Sequence, residues 1–154
     1  MKVILPGSYD PVTLGHLDVI KRAAKAFDEV YAVVFINSEK KYTFSADDRV
    51  KMLSLATEDL SNVTVDFSEG LVIDYMRKNG ISKIVKGYRN DVDLEYEKKQ
   101  AQYNLLNGGF ETVFWRSDEK FADISSTRAR LLIEKGEQLS EILPEKVISF
   151  INNH

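Results

Sequence analysis

Residues 2–36, KVILPGSYDPVTLGHLDVIKRAAKAFDEVYAVVFI, decide how this chain folds. Lys2 to Pro6 is a short apolar run closed by Pro6-Gly7, and within Leu14 to Phe27 the residues Leu17, Ile20, Ala23 and Ala24 recur at helical spacing. Val30 to Ile36 is an unbroken β-branched and aromatic run, the pattern of a strand buried on both faces in a parallel sheet. Strand, loop, helix and fully apolar strand in that order predict an α/β protein from the first residues onward.

The remaining chain repeats the pattern. Ser45 with Asp48 three residues on reads as a helix N-cap, predicting a helix to about Leu60. Val63 to Phe67 reads as a third strand, Leu71 to Asn79 as a helix stopped by Gly80, and Ser82 to Val85 as a fourth strand. Leu94 to Leu106 is a helix ending at Asn107-Gly108-Gly109, with Tyr103, Leu105 and Leu106 expected in the core. Thr112 to Trp115 is a fifth strand, and Ser126 to Glu134 and Glu145 to Asn152 are closing helices. With no repeat or linker, the expectation is a single domain over residues 1–154, built as a doubly wound five-stranded parallel sheet. Ligands of such sheets bind beyond the carboxyl ends of the strands.

Composition narrows the function. Hydrophobic residues at 44% and charged residues at 29% are ordinary for a globular chain of 154 residues. The absence of cysteine excludes disulfides, thiolate metal sites and a cysteine nucleophile, and His16 and His154 form no metal-ligand spacing. A net charge of −3 argues against a general nucleic-acid binder, so any anion site is local. The N-terminus is too short in apolar residues for a signal peptide or membrane span, and a cytoplasmic location is expected.

Four segments after strands hold unusual residues. In Gly7-Ser8-Tyr9-Asp10-Pro11-Val12-Thr13-Leu14-Gly15-His16, glycines permit a turn and a close backbone approach, and His16 stands in the first turn of a helix, where free N–H groups favour an anion. Lys40 and Lys41 follow the second strand. Lys86-Gly87-Tyr88-Arg89 reads as a charged loop after the fourth strand. Ile124-Ser125-Ser126-Thr127-Arg128 opens a helix with more hydroxyls than one cap requires. Glu95, Tyr96 and Glu97, read as opening the fourth helix, suit its dipole and need no further role. Two anion-ready helix starts with cations at Lys40, Lys86, Arg89 and Arg128 fit a polyphosphate.

Those motifs, together with Asp93-Leu94-Glu95-Tyr96-Glu97, resemble the phosphopantetheine adenylyltransferase family of the nucleotidyltransferase superfamily over essentially the whole chain. The resemblance implies a Rossmann-like nucleotidyltransferase fold and transfer of AMP from ATP to 4′-phosphopantetheine, giving dephospho-coenzyme A and pyrophosphate. It implies that His16, Lys40 and Ser8 act in catalysis. It implies ATP contacts at Ser8, Tyr9, His16, Gly87, Tyr88, Arg89 and Glu97, and along Phe121, Ala122, Asp123, Ile124, Ser125, Ser126 and Thr127. Ser8, Lys40, Val72 and Lys86 would face 4′-phosphopantetheine, Mg²⁺ would arrive with ATP, and the assembly would be a homo-hexamer acting without nucleic acid or membrane. Ser8 replaces the commoner Thr, keeping its hydroxyl, and Lys86 replaces the usual Arg, exchanging a fork for a point charge.

The implied chemistry is attack of a phosphate on the α-phosphorus of ATP without a protein nucleophile, aided by positioning and charge. His16 is open between two protonation states, since the helix N-terminus opposes the imidazolium and a triphosphate favours it. A nicotinamide mononucleotide adenylyltransferase shares the first motif and a similar Ile-Ser-Ser-Thr segment, but the Lys86 to Glu97 pattern suits it less. A non-catalytic flavodoxin-like signalling module would need acidic strand ends, where this chain has Leu5-Pro6-Gly7-Ser8.

Overall fold

Adjacent residues of the central strands bury against opposite layers of helices. Val3 and Leu5 belong to one apolar cluster with Val30, Ala32, Val34 and Val85, while Ile4 between them joins Val33 and Ile84 in another. That alternation is the period of a strand, and apolar residues on both sides require helices on both sides. The computed structural model describes residues 1–154. Its elements are β1 (Lys2–Gly7), α1 (Leu14–Ala26), β2 (Glu29–Phe35), α2 (Ala46–Thr57), β3 (Val63–Ser68) and α3 (Val72–Asn79). They continue with β4 (Lys83–Tyr88), α4 (Asp91–Gly108), β5 (Thr112–Arg116), a 3₁₀ turn (Glu119–Phe121), α5 (Ser126–Glu134) and α6 (Glu145–Asn152).

The five strands are parallel in the order β3-β2-β1-β4-β5. The chain winds outward one way through β2 and β3, then crosses back to β4 and β5, so the direction of winding reverses between β1 and β4. One layer packs Val19, Ile20 and Ala23 of α1, Met52 and Leu53 of α2, Ala129 of α5 and Val147 of α6. The other packs Tyr75 and Met76 of α3. The expected doubly wound five-stranded sheet is present, and Gly80 ends α3 in the left-handed region at φ 65°, where a side chain would be strained.

Three expectations are corrected. Lys86, Gly87 and Tyr88 are the end of β4 and not a loop, because β4 stays in register with β5 through Lys86–Phe114, Gly87–Trp115 and Tyr88–Arg116. Helix α4 begins at Asp91 behind an Asn90 cap, whose side chain accepts from Asp93 N, so Glu95 and Glu97 lie beyond the helix start. Tyr103, Leu105 and Leu106 are outside the core, and α4 buries no residue: it packs against α3, β4 and β5 and leaves these three side chains exposed.

Candidate active site

At the carboxyl ends of β1 and β4, where the winding reverses, a cavity of about 690 Å³ opens between the strands and the helices that follow them. It gathers residues far apart in the chain. Ser8, Tyr9 and His16 come from the first turn and α1, Lys40 from the segment after β2, and Val72 from the start of α3. Lys86, Gly87 and Tyr88 come from β4, Arg89 from just beyond it, and Glu97 from α4. Phe121, Ile124, Ser125 and Ser126 close the far side. Ala122, Asp123 and Thr127 are not among the cavity walls.

The first turn is built for backbone donors. Tyr9 adopts φ 49°, its ring is buried, and its hydroxyl donates to Leu5 O at 2.8 Å. Burial pushes the Tyr9 phenol well above its ordinary range, so it stays a neutral donor. Gly7 lets the ring pack close: a Cβ there would stand 3.1 Å from the Tyr9 ring, which would have to give by a few tenths of an ångström. With Tyr9 turned inward, the N–H groups of Ser8 and Tyr9 have no partner in the protein, and neither has the N–H of Gly15 in the first turn of α1. Nothing inside the protein demands glycine at position 15, where a Cβ would meet Thr13 Oγ1 at an ordinary 3.5 Å.

His16 is held by a reciprocal cap. Thr13 Oγ1 accepts from His16 N at 3.3 Å, and the Thr13 N–H donates to His16 Nδ1 at 3.0 Å. The second bond makes Nδ1 an acceptor and therefore places the imidazole proton on Nε2. Burial first, then the charges of Lys86 and Arg89, lower the His16 pKa from 6.5 to about 4. Without a bound anion the ring is neutral at physiological pH, a choice made by burial first and by the neighbouring Lys86 and Arg89 charges after it.

Two of the cavity's three cations are already paired. Arg89 forks onto Asp93, Nε to Oδ2 at 2.8 Å and Nη2 to Oδ1 at 3.1 Å. Lys86 donates to Pro6 O at 3.2 Å and meets Glu97 Oε2 at 3.3 Å. Lys40 stands in no ion pair. Gly87 permits close packing, because a Cβ there would come within 2.8 Å of Val19 Cγ2. The approach foreseen for Gly87 is thus made by α1.

At the opposite wall, Ser125 caps α5 by accepting from Arg128 N at 3.0 Å, and Ser126 Oγ donates to Pro11 O at 2.8 Å, tying α5 to the first turn. The N–H groups of Ser126 and Thr127 make no bond within the protein, a second set of helix-start donors. Thr127 Oγ1 instead accepts from Arg130. Arg128 is a correction: its guanidinium donates to Asp123 O at 3.2 Å and does not line the cavity. It closes the loop before the helix.

Several residues of the site carry little or no signal in the sequence. Arg49 and Asp10 are almost fully buried between the first turn and the Lys40 segment, and nothing in their local pattern announced it. Asp93, four residues after Arg89, carried the signal of an i,i+4 partner. Thr112 Oγ1 and Ser117 Oγ, on two residues that border the cavity, are buried without a hydrogen-bond partner.

A cavity at the winding reversal, with unpaired helix-start N–H groups on two sides and cations on a third, can hold a chain of phosphates. Comparison with known proteins agrees with that chemistry. A family model described as Cytidylyltransferase-like matches residues 4–131. A phosphopantetheine adenylyltransferase of Clostridium novyi (strain NT) is 42% identical over 151 residues, covering 97% of this chain and 94% of that protein. The match spans every segment of the cavity, and the chain belongs to the phosphopantetheine adenylyltransferase family of cytidylyltransferase-like nucleotidyltransferases.

Proposed function

We propose that the protein transfers the adenylyl group of ATP to 4′-phosphopantetheine, releasing pyrophosphate and forming dephospho-coenzyme A. The observation that carries the reading is the convergence of the free Ser8, Tyr9, Gly15 and Ser126 N–H groups with His16 and Lys40 on one cavity, in a member of this family. A phosphate oxygen of 4′-phosphopantetheine attacks the α-phosphorus, the new P–O bond forms, and the bond to pyrophosphate breaks with its electron pair on the leaving oxygen. No protein nucleophile is needed, and the residues position and stabilise charge.

In this reading Ser8 and Tyr9 offer backbone donors to ATP, and the Ser8 hydroxyl lies between the two substrates. His16 donates through Nε2 to the α-phosphate, and Lys40, the cation without a carboxylate partner, neutralises charge growing there. Gly87, Tyr88, Arg89 and Glu97 hold the nucleotide with the Phe121 to Thr127 segment, of which Ala122, Asp123 and Thr127 act from behind the wall. Val72 and Lys86 face 4′-phosphopantetheine. For Lys86 and Glu97 to serve different substrates, the bond between them at 3.3 Å opens when the site fills.

Mg²⁺ enters as part of the nucleotide substrate. The cavity carboxylates Asp93 and Glu97 are each engaged by a cation, and in this reading the triphosphate supplies the ligands of Mg²⁺. No helix is long and apolar enough to cross a membrane. We further propose a cytoplasmic single-domain enzyme assembled as a homo-hexamer, with the exposed Tyr103, Leu105 and Leu106 near the end of α4 available for contact between copies.

The test is pyrophosphate release from ATP with either 4′-phosphopantetheine or nicotinamide mononucleotide as acceptor. Turnover with the first and not the second is expected. The reverse preference, or no release with either, overturns the reading.

A further inference from the structure

Arg49 is the most deeply buried charge in the protein, 1% exposed, and it has no carboxylate partner. A cation in that position is costly unless its donors are fully used. Its guanidinium reaches in two directions. Nη1 donates to Ser8 O at 3.0 Å, in the first turn, and Nε donates to Phe44 O at 3.2 Å, in the segment that carries Lys40. Its face lies 3.8 Å from the centre of the Tyr42 ring, and the Tyr42 hydroxyl accepts from Asn37 N at 3.0 Å, at the root of the same segment.

Asp10 braces the same junction from the other side. It is 4% exposed, and its two carboxylate oxygens accept from Thr43 N and Phe44 N, each at 2.9 Å. Its backbone oxygen accepts from Arg130 Nη1 at 2.8 Å. Two buried residues of opposite charge thus fasten the Lys40 segment to the first turn, and both use main-chain partners for it.

We propose that Arg49 is a positioning residue that sets the two sides of the reaction centre at once. In a planar trans peptide the C=O and N–H point oppositely, so holding Ser8 O fixes the direction of the Tyr9 N–H, which has no partner in the protein. Through Phe44 O and Tyr42 the same side chain fixes the segment from which Lys40 enters the cavity. Arg49 itself is not among the cavity walls, so it acts through these groups and not by touching substrate. A lysine cannot replace it, because one ammonium cannot reproduce the flat fork that spans two carbonyls while stacking on a ring.

The inference rests on the adenylyl-transfer reading given above. Its test measures kcat and both KM values for Arg49→Lys and Tyr42→Phe, alone and combined with Lys40→Met, on protein shown folded by circular dichroism. Arg49→Lys is expected to lower kcat by about 10- to 100-fold and to raise the KM for ATP, since both arms slacken. Tyr42→Phe keeps the ring and loses only the bond to Asn37, so it is expected to lower kcat with the ATP KM unchanged. Its effect is expected to vanish in the Lys40→Met background.

A merely structural Arg49 would lower the melting temperature and leave kcat and both KM values of the folded variant within about two-fold of wild type, and that result overturns the proposal. Additive effects of Tyr42→Phe and Lys40→Met also overturn it. If Arg49→Lys does not fold, the Tyr42 and Lys40 cycle decides alone. If wild type binds ATP but releases no pyrophosphate, it is the acceptor reading that fails. Calorimetry then judges Arg49, with ATP affinity weakened about ten-fold in Arg49→Lys supporting it and unchanged affinity overturning it.

Discussion

The Thr13 N–H donates to Nδ1 of His16 across 3.0 Å, so the side chain at the start of α1 is aimed by the residue that caps the helix. The same contact that begins the helix chooses the tautomer, leaving Nε2–H as the donor. His16→Ala is expected to leave the circular dichroism spectrum intact and to lower kcat by about 10²-fold, the scale of losing one preorganised donor. Near-normal turnover in the variant removes His16 from the mechanism.

The low His16 pKa also has a consequence for stability. With a pKa of about 4 in the folded protein against 6.5 for a free side chain, the unfolded chain takes up this proton at a pH where the native protein does not. The contribution is whole above the unfolded value and is lost as pH falls from there toward the folded one. His16→Asn has no such proton to take up, so its melting temperature is expected to fall less than that of wild type between about pH 7 and pH 4.5. Parallel losses in the two proteins would contradict the assignment.

Lys86 offers a third test, in which charge and geometry separate. Lys86→Ala leaves Glu97 and Pro6 O without their partner and is expected to raise the KM for 4′-phosphopantetheine about ten-fold or more. Lys86→Arg restores a fork and is expected to keep or tighten that binding. Calorimetry giving equal affinity for all three proteins defeats the placement of Lys86 beside this substrate.

The order of elements was legible in the sequence because their signals are local. Apolar runs of β-branched residues marked the strands, and Ser45 and Gly80 marked helix ends. The end of β4 was not legible, since Lys86-Gly87-Tyr88-Arg89 has the composition of a loop and its pairing depends on Phe114 to Arg116, distant in sequence. The exposure of Tyr103, Leu105 and Leu106 on α4 was misread for a related reason: a helix apolar on several sides shows its burial only when its neighbours are known. Of the candidate site, His16, Lys40, Lys86 and Arg89 were recognisable as residue types in a strand-end context. Arg49, Asp10 and the Lys86–Glu97 pair belong to contacts made across the fold, which no spacing records.

Gly87 tests the packing that brings α1 against β4. A Cβ at this position would lie 2.8 Å from Val19 Cγ2, and Val19 is buried and stiff at χ1. Gly87→Ala is expected to cost about 1–3 kcal/mol in urea unfolding, and Val19→Ala in the same chain is expected to recover part of it. Independent, additive losses would show that the two residues do not press on one another.

The central claim is that one cavity, at the reversal between β1 and β4, grips the triphosphate with backbone N–H groups from two sides. A crystal structure with a non-hydrolysable ATP analogue tests it most directly. Phosphate oxygens are expected within hydrogen-bonding distance of the Tyr9 and Ser126 N–H groups and of His16 Nε2. A nucleotide bound elsewhere, or with its base where these donors stand, would contradict it.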